Sequence, residues 1–129
     1  MTQKKAKILV VDDEPGMRKL LSYQLGFLGY ETVTAENADE AVLLWGSQGP
    51  FDLMITDVLM PGSMDGIDLV GEYRKKQPDQ KVILITGYAT EEKLAGALQN
   101  PLNICFKKPF NIHDLSQCVA ECLESNARA

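Results

Sequence analysis

Short apolar runs alternate with segments of helical period along the whole chain. Lys7 to Val11, read Lys-Ile-Leu-Val-Val, is a continuous leucine and β-branched run, the pattern of a strand covered on both faces. From Pro15, which suits a first helical turn, Met17, Leu20, Leu21, Leu25 and Leu28 recur at three- and four-residue spacing, and Gly29 is placed to end the helix. Tyr30 to Ala35 alternates with threonines as a second strand. Asn37, followed three residues on by Glu40, predicts an N-cap with a capping-box acid. The helix it opens runs through Ala41, Val42, Leu44 and Trp45 and is expected to break at Gly46 and Gly49. Phe51 to Thr56 predicts a third strand, closed by Asp57.

One proline and two glycines between Met60 and Gly66 predict a loop. Ile67, Val70 and Tyr73 then mark a third helix that stops before Pro78. Lys81 to Ile85 reads as a fourth strand, Thr90 to Leu98 as a short helix, and Asn103 to Phe106 as a weaker fifth strand. A last helix spans about Ile112 to Leu123, with Leu115, Val119, Cys122 and Leu123 inward. Strands alternating with helices imply right-handed crossovers and a parallel sheet sandwiched by helices, an α/β architecture of three layers.

Neither internal repeat nor Pro/Gly/Ser linker divides the 129 residues, so one compact domain is expected. A chain of this size hides roughly two-thirds of its surface on folding, enough for a core without staples. With 18 acidic against 13 basic residues the formal charge is -5, which argues against a broad basic face for nucleic acid or anionic membrane. Cys105, Cys118 and Cys122 are odd in number and clustered late, so they do not read as a secreted disulfide framework, and a cytoplasmic location is expected. The apolar run Ile8 to Val11 behind the basic N-terminus is far short of a signal core or a membrane span of about 20 residues.

Placed on this scaffold, the polar residues converge. Asp12 and Asp13 end the first strand, Asp57 the third and Thr86 the fourth, and Lys108 follows the fifth. In a parallel sheet these ends share one edge, where open α/β folds form their ligand crevice. At about 5 Å and an effective dielectric of about 20, each pair of carboxylates there costs on the order of 3 kcal/mol. Either a cation offsets that or some of the acids stay protonated. Hard oxygen ligands without histidine or thiolate favour Mg²⁺ or a similar ion, which often bridges to phosphate. A hydroxyl, an ammonium and a metal around one carboxylate are the parts needed for phosphoryl transfer to that carboxylate.

The segments Ile-Leu-Val-Val-Asp-Asp-Glu-Pro at 8 to 15, Ile-Thr-Asp-Val-Leu-Met-Pro at 55 to 61, Asp65-Gly66, Ile-Thr-Gly at 85 to 87 and Lys-Lys-Pro-Phe at 107 to 110 occur in this order at these strand ends. With them the chain, from Lys7 to about Ser125, resembles a response-regulator receiver domain of two-component signalling. The resemblance implies a flavodoxin-like (βα)5 sandwich with strand order 2-1-3-4-5. It implies a receiver domain over residues 1–125, with 126–129 as a tail or the start of a linker, and no room for an output domain. Asp57 is then the phosphoacceptor, taking its phosphoryl group from a phosphohistidine on a sensor histidine kinase or phosphotransfer protein. Asp13, Asp57 and the backbone carbonyl of Leu59 ligate Mg²⁺, and Asp12 assists through a water on the ion. Lys108 holds the phosphoryl oxygens, and the Thr86 hydroxyl moves toward them after transfer. That movement biases the face of the fourth helix, fifth strand and fifth helix, which meets an output domain or downstream protein. Neither direct nucleic-acid binding nor a membrane role is expected of the chain. It is read as a switch, not a conventional enzyme, that catalyses only its own phosphorylation and slow dephosphorylation.

Two features depart from the family pattern. Where the family usually carries an aromatic, three residues before the lysine, this chain has Cys105, with Phe106 beside it. The loop Gly62-Ser63-Met64 between Pro61 and Asp65 is one residue longer than the commonest form.

Singly, each feature has a plainer reading. Asp12-Asp13-Glu14 is also the acidic start of a helix, Asp57 a turn aspartate, Thr86 a strand-end hydroxyl and Lys108 a loop lysine; their joint placement is what carries the chemistry. Cys118 and Cys122, with His113 five residues before Cys118, match no zinc spacing and are expected to pack. Arg74-Lys75-Lys76 reads as a solvated helix end, and Tyr88 either as surface filler or as a residue tuning access to the acceptor. Two other functions suit the same architecture. A flavin- or nucleotide-binding module needs a glycine- or hydroxyl-rich phosphate loop after the first strand, where this chain has acids. An aspartate-nucleophile phosphohydrolase resembles an Asp-x-Asp pattern with a cap domain, whereas Asp12 and Asp13 are adjacent.

Overall fold

The computed structural model describes residues 5–60, 62, 64–87 and 91–127, with the side chains of all but 91 and 125–127. Strand and helix alternate as β1 (Lys7–Val11), α1 (Pro15–Phe27), β2 (Glu31–Ala35), α2 (Ala38–Gln48), β3 (Leu53–Asp57), α3 (Gly66–Lys76), β4 (Val82–Thr86), α4 (Glu91–Leu98), β5 (Asn103–Lys107) and α5 (Ile112–Ala127). The strands form one parallel sheet in the order β2-β1-β3-β4-β5. This is the doubly wound, flavodoxin-like sandwich that the resemblance implies.

Every strand alternates its side chains between the two layers of helices. Ile8, Val10, Leu53, Ile55, Ile83 and Ile85 pack with Leu21 and Leu25 of α1 and Leu115 and Val119 of α5. On the other face Leu9, Val11, Met54, Val82 and Leu84 pack with Ala41 of α2 and Leu69, Val70 and Tyr73 of α3. Tyr73 is fully buried and donates its hydroxyl to the Ala41 carbonyl at 2.6 Å, while its ring stacks on Trp45 at 4.2 Å. The long apolar runs of β3 and β4 are explained by this covering on both sides.

Some element ends differ from expectation, each for a local reason. α1 stops at Phe27, and the chain turns through Gly29 at φ 97°, a left-handed conformation that glycine adopts without strain. Asn37 Oδ1 accepts from the Glu40 amide at 2.8 Å, as the sequence predicts. α2, however, passes through Gly46 and ends at Gln48, its Gly49 amide donating to the Trp45 carbonyl. One helical glycine costs about 1 kcal/mol, which the packing of Trp45 against Tyr73 offsets. α3 begins at Gly66, inside the expected loop, because Asp65 and Asp68 form a reciprocal capping box. α5 continues past Leu123 to Ala127. Arg74 is not a freely solvated helix end: its Nε and Nη2 both donate to the Gln80 carbonyl, at 3.1 and 2.8 Å, fastening α3 to the turn before β4. The expectations for Met1–Lys4, Pro61, Ser63, Tyr88, Thr90 and the last two residues of the tail lie outside the described residues.

Candidate functional site

The C-terminal ends of β1, β3, β4 and β5 meet at one sheet edge, and backbone bonds fix each side chain there. Asp12 directly follows β1, its amide donating to the Ala35 carbonyl at 3.1 Å. Asp57 closes β3, held where Val58 N donates to the Ile85 carbonyl at 2.9 Å. Lys108 follows β5, tied to the end of β4 through its amide and the Thr86 carbonyl at 2.8 Å. Residues 96 positions apart along the chain, Asp12 and Lys108, thereby face one another, with Lys108 Nζ 3.6 Å from Asp12 Oδ2.

One oxygen from each of Asp12, Asp13 and Asp57 can be chosen so that all three lie within 4.8 Å of one another. Asp12 and Asp57 are buried, whereas Asp13 is exposed. Lys108 Nζ donates to Asp57 Oδ2 at 3.1 Å and to Glu14 Oε1 at 3.3 Å. Burial pushes the Asp12 carboxyl up to about 6; the hydrogen bond from Glu14 N works against this, and the charge of Asp57 adds to it. Burial also raises Asp57, against the hydrogen bond and charge of Lys108. For Lys108 burial pulls the ammonium down, but the Asp57 hydrogen bond and the surrounding carboxylates prevail and hold it above its ordinary value.

Among the described residues the site fits a hard divalent cation. Asp12 Oδ2 is buried and accepts no hydrogen bond, its charge met only by the ammonium 3.6 Å away. Asp12 Oδ1 accepts from Glu14 N at 2.9 Å, Asp57 Oδ1 from Leu59 N at 3.3 Å and Asp57 Oδ2 from Lys108 Nζ at 3.1 Å, so of the four oxygens of this buried pair Asp12 Oδ2 is the one left without a hydrogen bond. All are carboxylate oxygens, the donors that Mg²⁺ takes. Thr86 is buried at the end of β4 with its Oγ1 accepting and donating no hydrogen bond.

Cys105 pairs in register with Leu84, and Phe106 with Ile85. Phe106 therefore points to the α1/α5 layer, where it packs edge-on to Phe110 at 6.4 Å between ring centroids. It is a core residue on the opposite face from Cys105 and does not replace an aromatic there. Cys118 and Cys122 lie in the packing of α5 against the sheet, and burial pushes the Cys118 thiol up to about 12.

Two residues of the site were not singled out from sequence. Gly66 lies so close to the acceptor that a Cβ would overlap the Asp57 carbonyl oxygen, and its amide donates to the Val58 carbonyl at 2.7 Å. Asp65-Gly66 was visible as a motif, but the close approach is made by the fold. Glu14, one more acid in an acidic run, reaches Lys108 across 94 residues of sequence.

The family profile described as response regulator receiver domain matches residues 8–120. The chain belongs to that family. Receiver domains are modules of two-component signalling, and neither a phosphohydrolase nor a flavin-binding reading is favoured for this one. The receiver is 36% identical over 129 residues to the transcriptional regulatory protein GlrR of Escherichia coli, covering 100% of this chain and 29% of GlrR. The chain thus spans less than a third of that relative. A CheY-like receiver domain from Methanospirillum hungatei superposes with a TM-score of 0.88 at 30% identity, covering 97% of this chain and 98% of the other. The response regulator TrrA of Thermotoga maritima, solved in complex with Mg²⁺ and BeF, is 41% identical with a TM-score of 0.78, covering 92% and 99%. Among the described residues of the receiver, no helix is long and apolar enough to cross a membrane.

Proposed function

We propose that this receiver domain is a phosphorylation-dependent switch whose acceptor is Asp57, working on a phosphohistidine of a sensor histidine kinase or phosphotransfer protein. The observation that carries the reading is the Lys108 ammonium 3.1 Å from Asp57 within a group of three carboxylates. In the transfer an Asp57 carboxylate oxygen forms the new bond to phosphorus. The phosphorus–nitrogen bond breaks, and the imidazole nitrogen leaves with the electron pair and takes up a proton. Slow attack by water on the acyl phosphate returns the carboxylate and inorganic phosphate, so the chain catalyses only its own phosphorylation and dephosphorylation.

Asp13, Asp57 and the Leu59 carbonyl would hold Mg²⁺, with Asp12 acting through a water on the ion. When bound, Mg²⁺ supplies neutralisation and orientation of the phosphoryl oxygens. Lys108 takes a phosphoryl oxygen in place of the carboxylate oxygen it holds at rest. Thr86, with its hydroxyl unbonded, donates to another and draws the end of β4 toward the acceptor. The face of α4, β5 and α5 then shifts in population, without an aromatic at position 105 to turn with it. This face meets an output domain or downstream protein, the functional unit is residues 1–125, and its place is the cytoplasm.

Intact-mass measurement after incubation with phosphoramidate and Mg²⁺ tests this reading. The wild type is expected to gain one phosphoryl group and Asp57→Asn none; a gain by that variant rejects the acceptor.

A further inference from the structure

Glu14 occupies the N-cap position of α1 in extended backbone, yet its side chain makes no capping hydrogen bond. It turns instead across the mouth of a 650 Å³ crevice that Asp13, Asp57, Leu59 and Lys108 also line. There its Oε1 lies 3.3 Å from Lys108 Nζ. The Lys108 ammonium has three protons to give. One goes to Asp57 at 3.1 Å and one to Glu14 at 3.3 Å, and Asp12 Oδ2 lies 3.6 Å away, an ion pair without a hydrogen bond. Among the described residues, both of the hydrogen bonds it makes are thus to carboxylates before any phosphoryl group arrives.

We infer that Glu14 is a positioning residue that holds Lys108 at the crevice mouth in competition with the phosphoryl group. The inference rests on the phosphoacceptor reading of Asp57 and adds a resting restraint to it. Of the three acids around Lys108, Asp12 and Asp57 are buried and belong to the carboxylate group, whereas the Glu14 side chain is 63% exposed. Glu14 is therefore the partner that can let go without leaving a buried charge unpaired. Its grip is correspondingly weak, as exposed ion pairs are, and it delays capture of the phosphoryl group without preventing it. Its charge also adds to the field at the carboxylate group, which favours a cation and opposes an incoming anion.

Contact and field are separable by substitution. Glu14→Ala removes both, whereas Glu14→Asp keeps the charge but is one methylene too short to hold Lys108 from the same backbone. Beryllium fluoride, a phosphoryl mimic, is titrated into the wild type and both variants at saturating Mg²⁺, with binding read by calorimetry, and Mg²⁺ alone is titrated separately. Both variants are expected to bind beryllium fluoride about two- to fivefold more tightly than the wild type. Mg²⁺ affinity is expected to fall in Glu14→Ala and to stay near wild type in Glu14→Asp. Beryllium fluoride affinity unchanged or weakened in both variants overturns the role of Glu14, as does a shift in Glu14→Ala alone, which assigns the effect to the field. Failure of the wild type to bind beryllium fluoride overturns the phosphoacceptor reading, and the role of Glu14 with it.

Discussion

Gly66 packs directly on the carbonyl of Asp57, with no room for a side chain between them. The start of α3 is in this way built onto the backbone of the acceptor strand, and the Gly66 amide closes the contact through the Val58 carbonyl at 2.7 Å. Gly66→Ala must push β3 or α3 aside, and overpacking of this kind costs about 1–3 kcal/mol or more. Gly71, five residues on in the same helix, has open space where a Cβ would stand. Gly71→Ala is expected to be neutral or to stabilise by up to about 1 kcal/mol through helix propensity. Urea unfolding of the two variants checks the contrast, and equal stabilities would remove the steric argument.

Without metal, burial holds the Asp12 carboxyl at about 6 against 3.8 for the ordinary group. Between those values the folded chain keeps a proton that the unfolded chain has lost, so this group favours folding below about pH 4. Its contribution falls through the window and is gone above about pH 6. The metal-free Asp12→Asn protein, which cannot ionise there, is expected to exceed the wild type in stability at about pH 8 by up to about 3 kcal/mol, and to match it at about pH 4. Denaturant melts at the two pH values decide this, and added Mg²⁺ should narrow the difference at the higher one.

Lys108 reaches Asp57 from the position just after β5, one element of the proposed switch face. Lys108→Ala is expected to accept the phosphoryl group while the amide resonances of α4, β5 and α5 stay at their resting positions. Intact mass reads the first and two-dimensional NMR the second. A phosphorylated variant whose resonances move as in the wild type removes Lys108 from the coupling.

Tyr73 bridges α3 and α2 through a buried hydroxyl 2.6 Å from the Ala41 carbonyl. Tyr73→Phe keeps the stack on Trp45 and gives up that bond, for about 0.5–1.5 kcal/mol. Thermal melting is expected to show the loss with the phosphorylation rate unchanged; a slowed rate would place α2–α3 packing in the mechanism.

These expectations divide along the same line as the sequence did. Strands such as Lys7–Val11 were legible because a sheet covered on both faces demands unbroken apolar runs, and the Asn37 cap because it is a local hydrogen bond three residues long. The convergence of Asp12, Asp57, Thr86 and Lys108 was legible too, since strand ends in a parallel sheet share an edge. What sequence could not show depends on contacts between distant segments. Gly46 looked like a break, but Trp45 stacked on Tyr73 carries α2 past it. Arg74 looked solvated, but the Gln80 carbonyl takes two of its donors. Gly66 and Glu14 acquire their parts in the site only when α3 is set against β3 and Lys108 is brought across from the other side of the chain.

In the proposed switch the phosphoryl group rides on Asp57 as an acyl phosphate. Borohydride reduction of the phosphorylated protein, followed by peptide sequencing, tests it most directly, because an aspartyl phosphate is reduced to homoserine at the position it occupied. Homoserine is expected at position 57 and nowhere else. Homoserine at position 12 or 13, or a phosphoryl group that survives reduction as a serine or threonine ester, would contradict it.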